Sequence, residues 1–219
     1  MFLAISDVFS GAEVSAMRDA AASLEFVDGR ATAGRHAARV KANEQAGGSP
    51  ELEAILAKAK ASLLANPLFV SAVRPRHMVK LLLSRYRPGM AYGSHVDDAI
   101  MAGHRTDISF TLFLTPPGAC DGGGLVLEDT LEERTIKLDA GEVFVYPSNT
   151  VHRVEPVTSG ERLAIVGWAQ SWVRSPDQRQ ILFDLDQSVE AAAVLAPDSD
   201  HFKRLVKTRS NLIRMWADN

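Results

Sequence analysis

Met78-Val79-Lys80-Leu81-Leu82-Leu83-Ser84-Arg85-Tyr86, closed by Pro88-Gly89, decides the fold, because here helical periodicity gives way to short extended runs. Further runs of the same texture follow at Asp107–Thr115, Leu125–Glu128, Arg134–Leu138, Glu142–Tyr146, His152–Pro156 and Arg162–Val173. Pro116-Pro117-Gly118, Asp121-Gly122-Gly123-Gly124, Ala140-Gly141 and Ser159-Gly160 separate them with turn chemistry. Strands at this spacing predict a sandwich or barrel built by antiparallel pairing.

Outward from this block the texture is helical. Ser10 and Glu13 form a capping-box pattern ahead of Val14, Met17, Ala21 and Leu24 at helical spacing. Ser49-Pro50-Glu51 opens a second helix with the stripe Leu52, Ile55, Leu56, Ala59 and Leu63, and Asn66-Pro67 stops it. Between them lies a glycine-bearing loop with a short strand around Ala38–Ala42. Beyond Ser175-Pro176 two more helices are expected, near Gln178–Val194 and Ser199–Trp216. The expected organisation is α+β: residues 1–77 a helical support, 78–174 a β core, 175–219 a helical extension. The large apolar residues of that extension, among them Leu182, Phe183, Leu185, Phe202, Leu205, Val206, Leu212, Ile213 and Trp216, predict that it packs on the core or on a second subunit.

The 219 residues, 46% hydrophobic, can bury a full core. A formal charge of −3 with both signs interspersed argues against a nucleic-acid partner. The single cysteine, Cys120, excludes an internal disulfide and a multi-cysteine zinc site. The first residues carry no basic segment or apolar run of signal-peptide length, and no stretch reaches membrane-span length. These readings predict a cytoplasmic protein without a membrane partner.

Three residues carry the chemistry. His95 and Asp97 stand one residue apart in Tyr92-Gly93-Ser94-His95-Val96-Asp97, so extended backbone projects both to one side and turns Val96 the other way, into packing. His152 follows in Ser148-Asn149-Thr150-Val151-His152, 55 positions after the aspartate. Two imidazoles and one carboxylate can cap one face of an octahedral metal and leave the opposite positions open, the arrangement of non-haem Fe(II) oxygenases. Arg162, ten residues after His152 within an apolar run, needs an anionic partner if buried, and its planar fork suits a carboxylate. Asp98, with the opposite projection, is the poorer ligand.

Ser84-Arg85-Tyr86, the His95–Asp97 run, Arg105-Thr106-Asp107, Thr111-Leu112-Phe113-Leu114, Asp121-Gly122-Gly123, Tyr146-Pro147-Ser148, His152 and Arg162 together resemble the prolyl 4-hydroxylase-type Fe(II)/2-oxoglutarate dioxygenases. Phe26-Val27-Asp28-Gly29-Arg30 and Leu182-Phe183-Asp184-Leu185-Asp186 resemble the bacterial PKHD-type hydroxylases within that group. The resemblance implies a double-stranded β-helix, or jelly roll, as the core. It implies Fe(II) on His95, Asp97 and His152, with Arg162 on the distal carboxylate of 2-oxoglutarate and Tyr86 as a lesser co-substrate contact. It further implies O2 as co-substrate, L-ascorbate as an accessory, and hydroxylation of a small molecule or peptide with release of succinate and CO2. Asp97 is the carboxylate that halogenating relatives lack. Gly124 departs from the family pattern at a position that affects a hairpin or rim. A homo-oligomer is a further expectation, and a cupin-like binder or an iron or 2-oxoglutarate sensor is the alternative reading.

Other polar and aromatic residues read more plainly. Gly122-Gly123-Gly124 is a hairpin, since no lysine stands where a phosphate loop needs one. His104 is expected in solvent, and His36, His77 and His201 have no partner pattern. Trp168 and Trp172, with Gln170 between them, are expected on one strand face in core or pocket packing.

Overall fold

The computed structural model describes residues 1–34 and 36–218. Its helices are α1 (Gly11–Ala22), α2 (Pro50–Ala65), α3 (Pro67–Val73), α4 (Pro176–Leu195) and α5 (Asp200–Trp216). The strands begin with β1 (Leu3–Ile5), β2 (Phe26–Asp28), β3 (Lys41–Ala42), β4 (Glu44–Ala46), β5 (Pro75–Tyr86) and β6 (Ala91–His95). They continue with β7 (Ile100–Met101), β8 (His104–Arg105), β9 (Ile108–Phe113), β10 (Cys120–Gly122) and β11 (Leu125–Glu128). Last come β12 (Glu133–Ile136), β13 (Val143–Pro147), β14 (Val151–Val154), β15 (Val157–Gly160) and β16 (Arg162–Ser171). A seven-stranded sheet runs β1-β13-β9-β16-β5-β4-β2, and a five-stranded sheet runs β12-β11-β14-β6-β3. Every pairing in these two sheets is antiparallel. This is an α+β jelly roll, as expected.

Period-two alternation explains how the large sheet serves two masters. In β9, Ile108, Phe110 and Leu112 join the core under the helices, while Ser109, Thr111 and Phe113, also buried, face the other sheet. In β16, Leu163, Ile165 and Ala169 enter the helix-side core, whereas Arg162, Val166 and Trp168 line the cleft between the sheets. Fully buried Leu63 of α2 and Phe69 of α3 cover the outer face, with Phe69 edge-on to Phe110 at 5.4 Å between ring centroids. Gly167 makes that packing feasible: a Cβ there would fall 2.3 Å from the Phe110 ring. Truncating such an aromatic anchor costs about 3–5 kcal/mol.

The capping signals are realised. Ser10 and Glu13 form the reciprocal box of α1, and Ser49 caps α2 with Pro50 in its first turn. Asn66-Pro67 ends α2 but also starts α3, because the Asn66 side chain accepts from Phe69 N. The N-terminal region is not the purely helical support expected: β1 extends one edge of the large sheet, β4 and β2 the other, and β3 joins the small sheet. The short strand expected around Ala38–Ala42 is a helical turn at Ala37–Arg39 followed by β3.

The C-terminal helices are docked. Leu182 is fully buried, and Arg74, in left-handed conformation at the end of α3, pairs with Asp186 of α4 at 2.6 Å. Arg209 of α5 approaches the same carboxylate at 3.6 Å. Asp218 N donates to Trp172 O at 2.8 Å. The apolar residues of α5 named above are half-buried. No described helix is long and apolar enough to cross a membrane.

Candidate active site

His95 ends β6, His152 lies on β14, and the two strands pair so that these residues stand opposite one another. Asp97 follows two residues beyond His95, where the chain leaves the sheet. One ligand atom from each of His95, Asp97 and His152 falls within 4.8 Å of the others. Each side chain is shielded, at 6–7% exposure. The carboxylate oxygens sit 3.9 Å from His95 Nε2 and 3.9 Å from His152 Nε2.

Backbone carbonyls orient both rings. His95 Nδ1 lies 2.8 Å from Gly93 O, and His152 Nδ1 lies 3.0 Å from Thr150 O. With Nδ1–H donated to a carbonyl, each Nε2 presents a lone pair to the shared space, the usual outer support of a ligating histidine. Tyr92 stacks on His95 at 3.6 Å, and Ser109 donates its hydroxyl to Asp97 Oδ2 at 2.5 Å. Burial, then the neighbouring His152, holds the His95 imidazole well below its ordinary pKa, so it is neutral and free to coordinate. The donor set, two imidazole nitrogens and a carboxylate gathered at one side of a cleft, fits Fe(II).

Arg162 enters the same cleft from the large sheet, opposite Tyr86. It is 3% exposed, and its Nε and Nη1 have no hydrogen-bond partner among the described residues. Its guanidinium lies 5.2 Å from the Tyr86 ring centroid and 5.4 Å from that of Phe113. A buried cation boxed by aromatic rings and lacking a counter-ion is costly unless a ligand supplies one. Gly122 and Gly123, both at positive φ (72° and 68°), shape the neighbouring wall; a Cβ on Gly122 would lie 1.9 Å from Pro156 O. Burial pushes the Tyr86 phenol up to about 12, so it stays protonated as a donor.

The sequence-expected site residues thus meet in one cleft between the sheets. Some neighbours match expectation and others depart from it. Val96 is 45% exposed at the cleft rather than turned into packing. Asp98 is exposed and turned toward Gly34. His104 is not free in solvent: it stacks on His77 at 4.3 Å and meets Gln170 Oε1 at 3.3 Å. Trp168 lines the cleft, whereas Trp172 packs on Arg76 at 4.8 Å; register shifts beside Trp168 and Gln170 break their common face. Gly124 faces Thr135 and Glu155, away from the triad. Sequence reasoning missed Ser109, Asn43, Lys41 and Lys80 as cleft residues; alternation from Thr111 would have found Ser109.

Comparison with known proteins agrees with this geometry. The model of the 2OG-Fe(II) oxygenase superfamily matches residues 81–170, and that of the PKHD-type hydroxylase C-terminal domain matches residues 177–218. A PKHD-type hydroxylase of Maricaulis maris is 46% identical over 221 residues, and one of Acaryochloris marina is 46% identical over 219 residues. Both alignments cover 100% of this chain and 100% of the relative. Among solved structures, a Pseudomonas putida prolyl-4-hydroxylase superposes with a TM-score of 0.54 at 21% identity, covering 78% of this chain and 92% of that one. HygX of Streptomyces hygroscopicus, with nickel and 2-oxoglutarate bound, gives 0.59 at 14% identity over 78% and 84% of the respective chains. These two likenesses speak for the fold, and the full-length identities settle the family: the chain belongs to the PKHD-type hydroxylases of the 2OG-Fe(II) oxygenase superfamily.

Proposed function

We propose that in this Fe(II)- and 2-oxoglutarate-dependent dioxygenase His95, Asp97 and His152 hold the iron and Arg162 holds the distal carboxylate of 2-oxoglutarate. The observation that carries the reading is the buried, unpartnered Arg162 guanidinium in the same cleft as the three clustered ligands. Bound iron supplies the oxygen chemistry, coupling decarboxylation of 2-oxoglutarate to succinate and CO2 with hydroxylation of a substrate.

The chain's own part is positioning. Asp97 brings a negative charge that offsets part of the dication, and the Ser109 hydroxyl fixes which of its oxygens is engaged. Gly93 O and Thr150 O hold the imidazoles in the ligating tautomer. Arg162 orients the co-substrate, and the Tyr86 and Phe113 rings keep water from its guanidinium. The Tyr86 hydroxyl is a secondary donor to the same ligand.

The substrate is a small molecule or a peptide, and L-ascorbate is the accessory reductant that the family suggests. A cytoplasmic setting is supported by the single, buried and unpaired Cys120. The net charge of −3 favours no nucleic-acid partner. The apolar residues left exposed on the tail, Ile181, Val194, Leu195 and Met215, favour a homo-oligomer. An anaerobic titration with Fe(II) and then 2-oxoglutarate, followed by oxygen and a screen for succinate, tests the assignment. One iron and one 2-oxoglutarate per chain are expected, with succinate formed on oxygenation. Binding of 2-oxoglutarate that ignores the loss of Arg162 would overturn it.

A further inference from the structure

Away from Arg162 along the strands, the same cleft has a second cationic region. Lys80 and Trp168 stand opposite each other on β5 and β16, six positions along each strand from the Tyr86–Arg162 pair. At about 3.3 Å per residue that separation is roughly 20 Å. Lys41 enters from the small sheet, paired with Tyr92. Its ammonium lies 5.0 Å from the centroid of the Tyr92 ring that stacks on His95.

Lys41 is 7% exposed, and its ammonium donates to Thr32 Oγ1 at 3.2 Å. Asp97 and Asp28 act on it only through space, while burial and the repulsion of Lys80 hold it down to about 8. On the same walls, Trp168 Nε1 is buried with no hydrogen-bond partner among the described residues. An ammonium removed from water, a second one near it and an idle indole N–H are each unfavourable alone. One anionic group with several acceptor oxygens would satisfy them together.

We propose that this end of the cleft recognises an anionic group, carboxylate or phosphate, on the molecule that is hydroxylated, with Lys41 and Lys80 as its specificity-determining contacts. The inference rests on the assignment of Arg162 to 2-oxoglutarate, which leaves the lysine end to the substrate. The substrate's acid group then sits beside Lys41 and Lys80, apart from the carboxylate that Arg162 holds.

The test loads the protein anaerobically with Fe(II) and 2-oxoglutarate and titrates it by calorimetry with two matched sets of probes. N-acetyl amino acids are compared with their primary amides, and alkyl phosphates with the parent alcohols; the set that responds identifies the group. At least one acid is expected to bind at least tenfold more tightly than its neutral counterpart. Lys41→Met and Lys80→Met should each remove most of that preference. Lys80, half-buried, serves as the second variant should Lys41→Met not fold. No acid binding better than its neutral mate overturns the proposal. So does a loss of 2-oxoglutarate affinity in the lysine variants equal to the loss of acid binding, since the lysines would then serve the co-substrate. Failure of the underlying assignment reads differently: Arg162→Ala would bind 2-oxoglutarate as wild type does.

Discussion

Arg162 and Arg179 are both almost wholly buried, at 3% and 4% exposure, and burial pulls both guanidiniums below the ordinary arginine range. Their surroundings differ. Arg179, in the first turns of α4, donates through Nη1 to Val173 O at 2.8 Å and Arg174 O at 2.7 Å. It clamps the start of the helical tail onto the chain leaving β16. Arg162, at the opposite end of β16, has two guanidinium nitrogens with no partner among the described residues. A buried cation whose donors are used inside the chain is part of the fold; one whose donors face a cleft unused is held ready for a ligand. Burial alone would have put the two residues in one class.

The comparison can be broken experimentally. If the cleft's polar groups exist for ligands, removing them should abolish binding and spare the fold. The largest effect is expected at the triad: His95→Ala, Asp97→Ala and His152→Ala should each remove most Fe(II) affinity with little change in thermal stability of the metal-free protein. Iron stoichiometry by anaerobic titration is the measurement, and wild-type stoichiometry in all three variants would sink the assignment. Mn²⁺, Co²⁺ or Ni²⁺ should occupy the same ligands in the wild type, because imidazole and carboxylate donors accept them all and affinity order alone does not favour Fe(II).

Next in size is Arg162→Ala. It should retain iron yet need about 10²-fold more 2-oxoglutarate, since truncation leaves a desolvated carboxylate without its bidentate partner. Arg162→Lys should recover only part of this, an ammonium being unable to reproduce the fork. The metal-free variant should be no less stable than wild type, because the protein loses an unpaired buried cation. A clear fall in melting temperature on Arg162→Ala would move this residue to the same class as Arg179.

Arg179→Met reverses the pattern. One buried and one part-buried carbonyl lose their donor, so a loss of about 1–3 kcal/mol of stability is expected by chemical denaturation. Affinity for 2-oxoglutarate should stay within about twofold. An Arg179 variant that folds as well as wild type but binds 2-oxoglutarate poorly would erase the distinction between the two arginines.

Much of this was legible in the chain because local chemistry and tertiary role coincide. Ser10–Glu13 and Ser49-Pro50 mark helix starts that no distant contact overrides, and β11 falls where its short apolar run after a glycine turn predicts it. The cluster of His95, Asp97 and His152 was legible from the one-residue spacing of the first two and the histidine on a late strand, and Arg162 because a charge in an apolar strand demands a purpose. The unread parts depend on partners far along the chain. β1 and β4 are three-residue strands defined by pairing with β13 and β5, so no periodicity of their own announces them. Asn66-Pro67 carries a stop and a start in the same two residues. Lys41 reads as an ordinary solvated lysine until its pairing with Tyr92 turns it into the cleft.

The smallest effect is expected at Tyr86, where ring and hydroxyl can be separated. Tyr86→Phe keeps the aromatic face 5.2 Å from the Arg162 guanidinium and removes only the buried phenol oxygen. The ring carries the exclusion of water and the cation–π contact, so the fold and the arginine's orientation should persist. What is lost is one neutral hydrogen bond to the co-substrate, about 0.5–1.5 kcal/mol, or roughly two- to tenfold in 2-oxoglutarate affinity. Tyr86→Ala should cost more than Tyr86→Phe, because it also opens the wall beside Arg162. Equal losses in Tyr86→Phe and Arg162→Ala would make the phenol a principal co-substrate ligand. No difference between Tyr86→Ala and wild type would strip the ring of its shielding role and leave Phe113 to serve alone.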